Sequence, residues 1–276
     1  MLIYRDQFYK HYVNQFHIIN NRFIHIMYKS IIIIIIIIIF VIYLLYINYH
    51  KNIFTITDKI NSLFDSHCND PAIFDTKNFS WTENFRKNWK SIKKEFIEYS
   101  KHNEIPLHNQ IQSNKKIAAC DTDNKWKTLY LRIFGKDTNI TKYFPLTTKL
   151  INSCPCTLAY FSILGPNAKL KPHIGIYKGV LRYHLGIIIP KEWNKCFINV
   201  NGYELNWREG SDIMFDDMFM HHVENNTNEP RVILFLDIKR DFNNIFLNMV
   251  NNIFLKFVKS NDVLNETIKN VNKYSS

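Results

Sequence analysis

Leu181-Arg182-Tyr183-His184-Leu185-Gly186-Ile187-Ile188-Ile189 is a run of strand-forming residues with a cation and an imidazole set into it. β-Branched and aromatic side chains fit a pleated, half-buried surface, so the run reads as a strand. Arg182 and His184 stand two apart and face the same side of it. Six further runs share this texture: Ala159–Leu164, Lys169–His173, Phe197–Val200, Tyr203–Trp207, Asp212–Phe215 and Arg231–Ile238. Their polar, Gly or Pro punctuation predicts an antiparallel sandwich or barrel, and Asn201-Gly202 between two of them signals a type I′ hairpin.

Helical spacing flanks the strands on both sides. Upstream, Phe85, Trp89, Ile92, Phe96 and Tyr99 follow a capping-box pattern at Ser80 to Glu83 and predict an amphipathic helix. Its opposite face holds Arg86, Lys87, Lys90, Lys93 and Lys94, which reads first as solvated and otherwise as apposed to anionic headgroups. Downstream, Phe242, Ile245, Phe246, Met249, Val250, Ile253, Phe254, Phe257 and Val258 form an apolar stripe. It predicts a C-terminal helix packed on the domain, with lipid-surface or dimer contact as the alternatives.

The composition allows a core and excludes wholesale disorder: 46% of the 276 residues are apolar and 15% aromatic. A formal charge of +11 favours anionic partners without choosing among them. Five cysteines without CxxC spacing indicate neither a zinc ribbon nor a disulfide scaffold, though they leave room for one or two bridges. Residues 30–49 carry no charge, and Ile31 to Ile47 is an unbroken apolar run long enough to span a bilayer. A buried helix, or a cleaved signal peptide beginning at Met27, is the alternative; no small-residue cleavage site follows, which favours an uncleaved signal-anchor. Residues 1–29 hold Arg5, Lys10, Arg22 and Lys29 against Asp6, whereas residues 50–79 hold three lysines against four aspartates. The N-terminus is therefore expected to be cytoplasmic and the rest lumenal or extracellular. Four Asn-x-Ser/Thr sequons, at Asn78, Asn139, Asn225 and Asn265, are compatible with that side.

Three polar clusters sit on or beside the strands: Lys171-Pro172-His173-Ile174-Gly175, Arg182-Tyr183-His184 with Arg231, and Phe215 through Asn225, which contains His221 and His222. Histidines on separate strands of a barrel can converge on Fe, Zn, Cu or Ni. Two arginines inside apolar strands need an anion, and a bidentate carboxylate is the natural partner. That combination suits a non-haem iron oxygenase using a dicarboxylate cosubstrate.

These motifs, in this order, resemble the aspartyl/asparaginyl β-hydroxylase family of Fe(II)/2-oxoglutarate oxygenases, which also includes lipid A hydroxylases. The resemblance covers about residues 78–240 and rests on Phe161-Ser-Ile-Leu-Gly-Pro, Pro172-His-Ile-Gly, Leu181-Arg-Tyr-His-Leu-Gly, Trp207-Arg-Glu-Gly, Phe215-Asp-Asp and Arg231-Val-Ile-Leu-Phe-Leu-Asp, with Trp126 and Tyr143-Phe-Pro-Leu-Thr upstream. It implies a mainly β, double-stranded β-helix (jelly-roll, cupin-like) domain, to which the residue patterns above add flanking helices and one preceding transmembrane helix. It also implies His173 and His221 as catalytic iron ligands. Arg231 and Ser162 would hold one end of 2-oxoglutarate, and Arg182 with His184 would support the other; O₂ is the remaining reactant. Gly175 stands where most such oxygenases carry a carboxylate ligand, as it does in this branch. Asp216 and Asp217 are expected to serve around the site or in a turn.

The expected organisation is a tail over 1–29, a span over 30–49, a linker over 50–77, an oxygenase domain over 78–240, and a C-terminal helix and tail over 241–276. The expected acceptor is the β-carbon of Asp or Asn side chains in a protein. The alternatives are a lipid acyl chain, or a binding module of the same fold without turnover. No nucleic-acid partner is expected.

Overall fold

The computed structural model describes residues 24, 27–41, 43, 53–111, 120–260 and 262–273. Two antiparallel sheets form the core. Numbered along the chain, the strands are β1 (Ile73–Phe74), β2 (Trp126–Ile133), β3 (Lys136–Asp137), β4 (Cys156–Leu164), β5 (Ala168–His173), β6 (Val180–Ile188), β7 (Cys196–Val200), β8 (Tyr203–Asn206), β9 (Asp212–Phe215), β10 (His221–Asn225) and β11 (Arg231–Lys239). The larger sheet runs β1-β9-β6-β11-β4-β2-β3 and the smaller β5-β10-β7-β8. From β4 onward the chain passes back and forth between the sheets, staying in the small one only for the β7–β8 hairpin. This winding is the expected jelly roll. The hairpin turns at Asn201 (φ 51°) and Gly202 (φ 87°), the paired positive φ values that a type I′ turn requires.

Burial explains why some strands were easier to read than others. Strand β7 alternates buried and half-buried residues, as a sheet covered on one face should. The first six residues of β11, by contrast, are all buried. Helices cover the outer face of the large sheet: α2 (Thr82–His102) sets Phe96 against Phe161 of β4 and Phe85 against Tyr183 of β6, with ring centroids 4.8 and 5.8 Å apart. Helix α4 (Pro145–Asn152) follows Phe144, whose ring also meets Phe161, at 5.2 Å. The remaining helices are α1 (Ile53–Asp65), the single turn α3 (His108–Ile111), α5 (Ile245–Ser260) and α6 (Asp262–Lys273).

Several expectations need correction. The capping box at Ser80 does not form: Trp81 is the N-cap and makes no side-chain cap bond, while Glu83 pairs with Lys87 one turn on. The basic face of α2 is only partly free. Arg86 is bound to Asp212 of β9 at 2.6 Å and Lys93 to Glu209 at 2.6 Å, so both tie the helix to the sheet instead of facing lipid. The stretch 50–77 is no plain spacer, since it carries α1 and also β1, which extends the large sheet through Ile73 opposite Phe215. On α5, Val250, Phe254 and Val258 are buried as the stripe implies, but so is Leu247 outside it, and Ile245 is 91% exposed. None of the five cysteines is in a disulfide.

The chain divides into two compact units, Met1–Lys59 and Ile60–Ser276. In the first, residues 27–41 are helical. Residues 42 and 44–49 of the expected span lie outside the described residues, and among the described residues no helix is long and apolar enough to cross a membrane.

A buried ion cluster ties the second unit together. Arg240, 2% exposed, contacts Asp216 at 2.5 Å and Asp70 at 3.0 Å, and Lys178 reaches Asp65 at 2.8 Å and Asp216 at 3.7 Å. Asp216 is fully buried, so removing one partner strands a charge. Arg240→Ala should destabilise the fold by about 3–5 kcal/mol. Urea unfolding of the two proteins checks this, and equal midpoints would mean the cluster contributes little.

Candidate active site

Strand β5 places His173 by a local irregularity. Val223 of β10 faces Leu170 and His221 faces His173, so three steps on β5 match two on β10. The extra residue is a β-bulge over Lys171-Pro172, where proline's missing N–H breaks no ladder bond. Without the bulge, His173 would point away from the face that Leu170 occupies. With it, both line the interior. On β10, His221 and Val223 are buried while His222 is only half-buried and meets Phe197 edge-on, 6.1 Å away. The two inward imidazoles lie 4.2 Å apart, centroid to centroid.

Each ring is oriented by the backbone. His173 Nδ1 donates to the Lys171 carbonyl at 2.6 Å and His221 Nδ1 to the Phe219 carbonyl at 2.9 Å. A carbonyl can only accept, so both Nδ1 atoms carry the proton and both Nε2 atoms keep a lone pair. His221 Nε2 is buried without a hydrogen-bond partner. Burial lowers the pKa of His173, and burial, Arg182 and His173 together take His221 down to about 3. The pair is neutral near pH 7, the state in which imidazole binds a metal. Among the described residues no group of three or more His, Cys, Asp or Glu is placed to hold one.

Gly175 shows why no carboxylate comes from the usual position. A Cβ there would lie 2.0 Å from Oδ2 of Asp217, and the Gly175 N–H already donates to the Asp217 carbonyl at 2.6 Å. The Asp217 carboxylate fills that space and is bound by Arg182 at 2.8 Å. Gly175→Asp should therefore weaken any divalent-metal binding by the two imidazoles about tenfold or more through overpacking, not strengthen it through a third ligand. Fe(II) titration followed by quenching of tryptophan fluorescence reads the sign directly.

Four more side chains with chemistry to offer, Ser162, Arg182, His184 and Arg231, line the cavity together with the two histidines. Arg231 is 1% exposed, stacks over the Trp207 ring at 4.7 Å, and among the described residues has no carboxylate partner. Burial pulls it down to about 10, which still leaves it charged at pH 7. Ser162 Oγ accepts from Trp126 Nε1 at 2.9 Å, leaving the hydroxyl proton to donate elsewhere. His184 has neither ring nitrogen hydrogen-bonded, and burial followed by Arg231 and Arg182 holds its pKa far below the usual histidine value. A buried cation, a spare hydroxyl and an unpaired imidazole fit an anionic ligand that brings oxygen acceptors.

Arg182 differs from the other three because its charge is already met by Asp217, and by Asp237 at 3.5 Å. Burial opposes its charge, but the two carboxylates outweigh this and keep it protonated; burial raises the more distant Asp237 to about 7. Neither partnership was legible in the sequence beforehand. For Asp237 the available signal was its register opposite Arg182 on neighbouring strands. A larger hollow of about 190 Å³, lined by Phe134, Lys239 and Lys259 among others, holds no histidine or carboxylate, so the chemistry belongs to the smaller cavity.

The fold and site can be set beside known proteins. A family profile described as aspartyl/asparaginyl beta-hydroxylase matches residues 86–241. An ornithine lipid ester-linked acyl 2-hydroxylase of Rhizobium tropici is 36% identical over 171 residues, covering 61% of this chain and 60% of that protein. The Homo sapiens aspartyl/asparaginyl beta-hydroxylase is 33% identical over 109 residues, covering 37% of this chain and 14% of that protein. The chain thus spans less than two thirds of either relative. A Pseudomonas putida prolyl-4-hydroxylase crystal structure aligns with a TM-score of 0.39 at 12% identity, covering 56% of this chain and 88% of that one.

Proposed function

Since the chain belongs to the aspartyl/asparaginyl beta-hydroxylase family, we propose that it is a membrane-anchored Fe(II)- and 2-oxoglutarate-dependent oxygenase whose acceptor is a lipid acyl chain. The observation that carries the oxygenase reading is the pair of backbone-oriented, neutral imidazoles beside a buried arginine that has no carboxylate partner among the described residues. His173 and His221 would hold the iron through Nε2. Arg231, with the Ser162 hydroxyl, would receive the distal carboxylate of 2-oxoglutarate, and His184 would offer a nitrogen toward its other end. Arg182 positions the Asp217 carboxylate that packs against Gly175.

When bound, Fe(II), 2-oxoglutarate and O₂ supply the oxidising power for C–H hydroxylation, with succinate and CO₂ as coproducts. The protein's own part is to orient ligands and exclude water. Trp207, Phe215 and Phe235 pack around His184 at centroid distances of 6.1, 5.1 and 4.8 Å and keep that end of the cavity dry. A binding module without turnover would have no need of this set.

The sequence alone put Asp or Asn side chains of a protein first. The extent of similarity favours the lipid instead: the match to the acyl 2-hydroxylase covers 61% of the chain and the match to the protein hydroxylase 37%. The uncharged run from Ile31 to Ile47 supports an anchor that would keep the domain beside its substrate. On this reading the N-terminus is cytoplasmic and the catalytic domain lumenal or extracellular; protease added outside sealed vesicles would then spare it, and digestion would reverse the orientation.

Mass spectrometry decides the acceptor. The full chain in detergent, supplied with Fe(II), 2-oxoglutarate and either ornithine lipid and phosphatidylglycerol or Asp/Asn-containing peptides, should add one oxygen to an acyl chain. Oxygen added only to peptide would restore the protein reading.

A further inference from the structure

His221 is buried and His173 half-buried, while the residues beside them in the chain are exposed. His221 pairs with His173 at the end of the β5–β10 ladder, and the residues next to them beyond that end are Met220 and Ile174. Both are 54% exposed although each is a large apolar side chain next to a site histidine. Ile176, two residues on, is 39% exposed. Along the same row of the small sheet, His221 faces Val200 and Val200 faces Tyr203, which is 61% exposed.

This exposure is built, not a consequence of slack loops. The Gly175 N–H is held by the Asp217 carbonyl at 2.6 Å, the Ile176 carbonyl accepts from Asn61 Nδ2 at 2.8 Å, and the Met220 carbonyl accepts from the Asn201 N–H at 2.9 Å. With the backbone fixed on both sides, the side chains of Ile174, Ile176 and Met220 are presented outward beside the cavity. On β5, Lys171 is exposed and among the described residues makes no ion pair, whereas its neighbour Lys169 is bound to Glu224 at 2.8 Å.

We propose that Ile174 and Met220, with Ile176 and Tyr203, form a rim that grips the acyl chain of a lipid at the mouth of the site, and that Lys171 meets the anionic part of its headgroup. The inference rests on the lipid reading above and names the residues that would select such an acceptor. An apolar pair, an interfacial aromatic and an unpaired cation match an amphiphile at a membrane surface. A carboxylate- or amide-bearing side chain of a protein would gain little from two exposed aliphatic groups. None of these rim residues contributes a group to the candidate iron or 2-oxoglutarate positions, so acceptor use and cosubstrate turnover separate experimentally.

The test uses the full chain in mixed micelles with ornithine lipid. The double variant Ile174→Asn, Met220→Asn should lose at least tenfold in kcat/KM for acyl hydroxylation, mainly through KM, while succinate formation without acceptor stays within twofold. Ile174→Leu with Met220→Leu should restore acyl hydroxylation, and Lys171→Glu should raise KM severalfold. Unchanged kcat/KM in the Asn variant, beside a wild type that hydroxylates lipid, would overturn the rim while leaving the lipid reading intact. Equal loss of acceptor-free succinate formation would also overturn it, by placing these residues in the site's architecture. A wild type that forms succinate but never oxidises a lipid would bring down the lipid reading and the rim together.

Discussion

His173→Ala and His221→Ala should each reduce Fe(II)-dependent succinate formation to background. Two imidazoles are all that the described residues offer a metal, and Asp217 closes the place where a third ligand would project, so one remaining nitrogen would have to hold the ion alone. His222→Ala makes the contrast. Its ring lies on the other face of β10 against Phe197, and its loss should change activity by no more than about twofold, as for other changes outside the site. Neither loss should unfold the chain, because the jelly-roll winding does not depend on these rings. Thermal unfolding of the metal-free variants checks that point, and a large fall in Tm would attribute the lost turnover to folding instead.

Arg231→Met carries the second large effect, and it has two signs. An unpaired buried guanidinium is costly in the protein without ligand, so an apolar side chain of similar length should leave the Tm of that form unchanged or raise it. The same change removes the charge-assisted hydrogen bonds to a carboxylate, worth about 2–5 kcal/mol, and should raise the 2-oxoglutarate requirement by roughly 30- to 5,000-fold. Arg231→Lys should not rescue it, since a point charge lacks the planar fork and its stacking on Trp207. If Arg231 were merely structural, Met would lower the Tm and leave the 2-oxoglutarate dependence alone.

Much of this arrangement could be read from residue patterns because the deciding strands are long and apolar. Strands β4, β6 and β11 are each nine residues long, and Arg182 in β6 and Arg231 in β11 stand out against apolar neighbours. Strand β10 was missed as a strand because His-His-Val-Glu-Asn offers only one β-former; its pairing on both sides, with β5 and β7, overrides that weak propensity. Strand β2 was missed because its alternation is lost where both faces are covered. The inward turn of His173 depends on a bulge whose only local sign is Pro172. The Arg182–Asp217 pair joins residues 35 positions apart and has no local sign at all. The basic face of α2 misled for a related reason: helical periodicity shows which side is polar, but it cannot show that Asp212 and Glu209 wait across the interface to bind Arg86 and Lys93.

The most direct test of the central claim is an anaerobic titration of the purified full chain with Fe(II) and 2-oxoglutarate, followed by the visible charge-transfer absorption of an Fe(II)–2-oxoglutarate complex. The account predicts a saturable band of one equivalent, absent in His173→Ala and His221→Ala and shifted to much higher 2-oxoglutarate concentration in Arg231→Met. A wild type that develops no such band at any Fe(II) and 2-oxoglutarate concentration, or a band unaffected by both histidine changes, would contradict it.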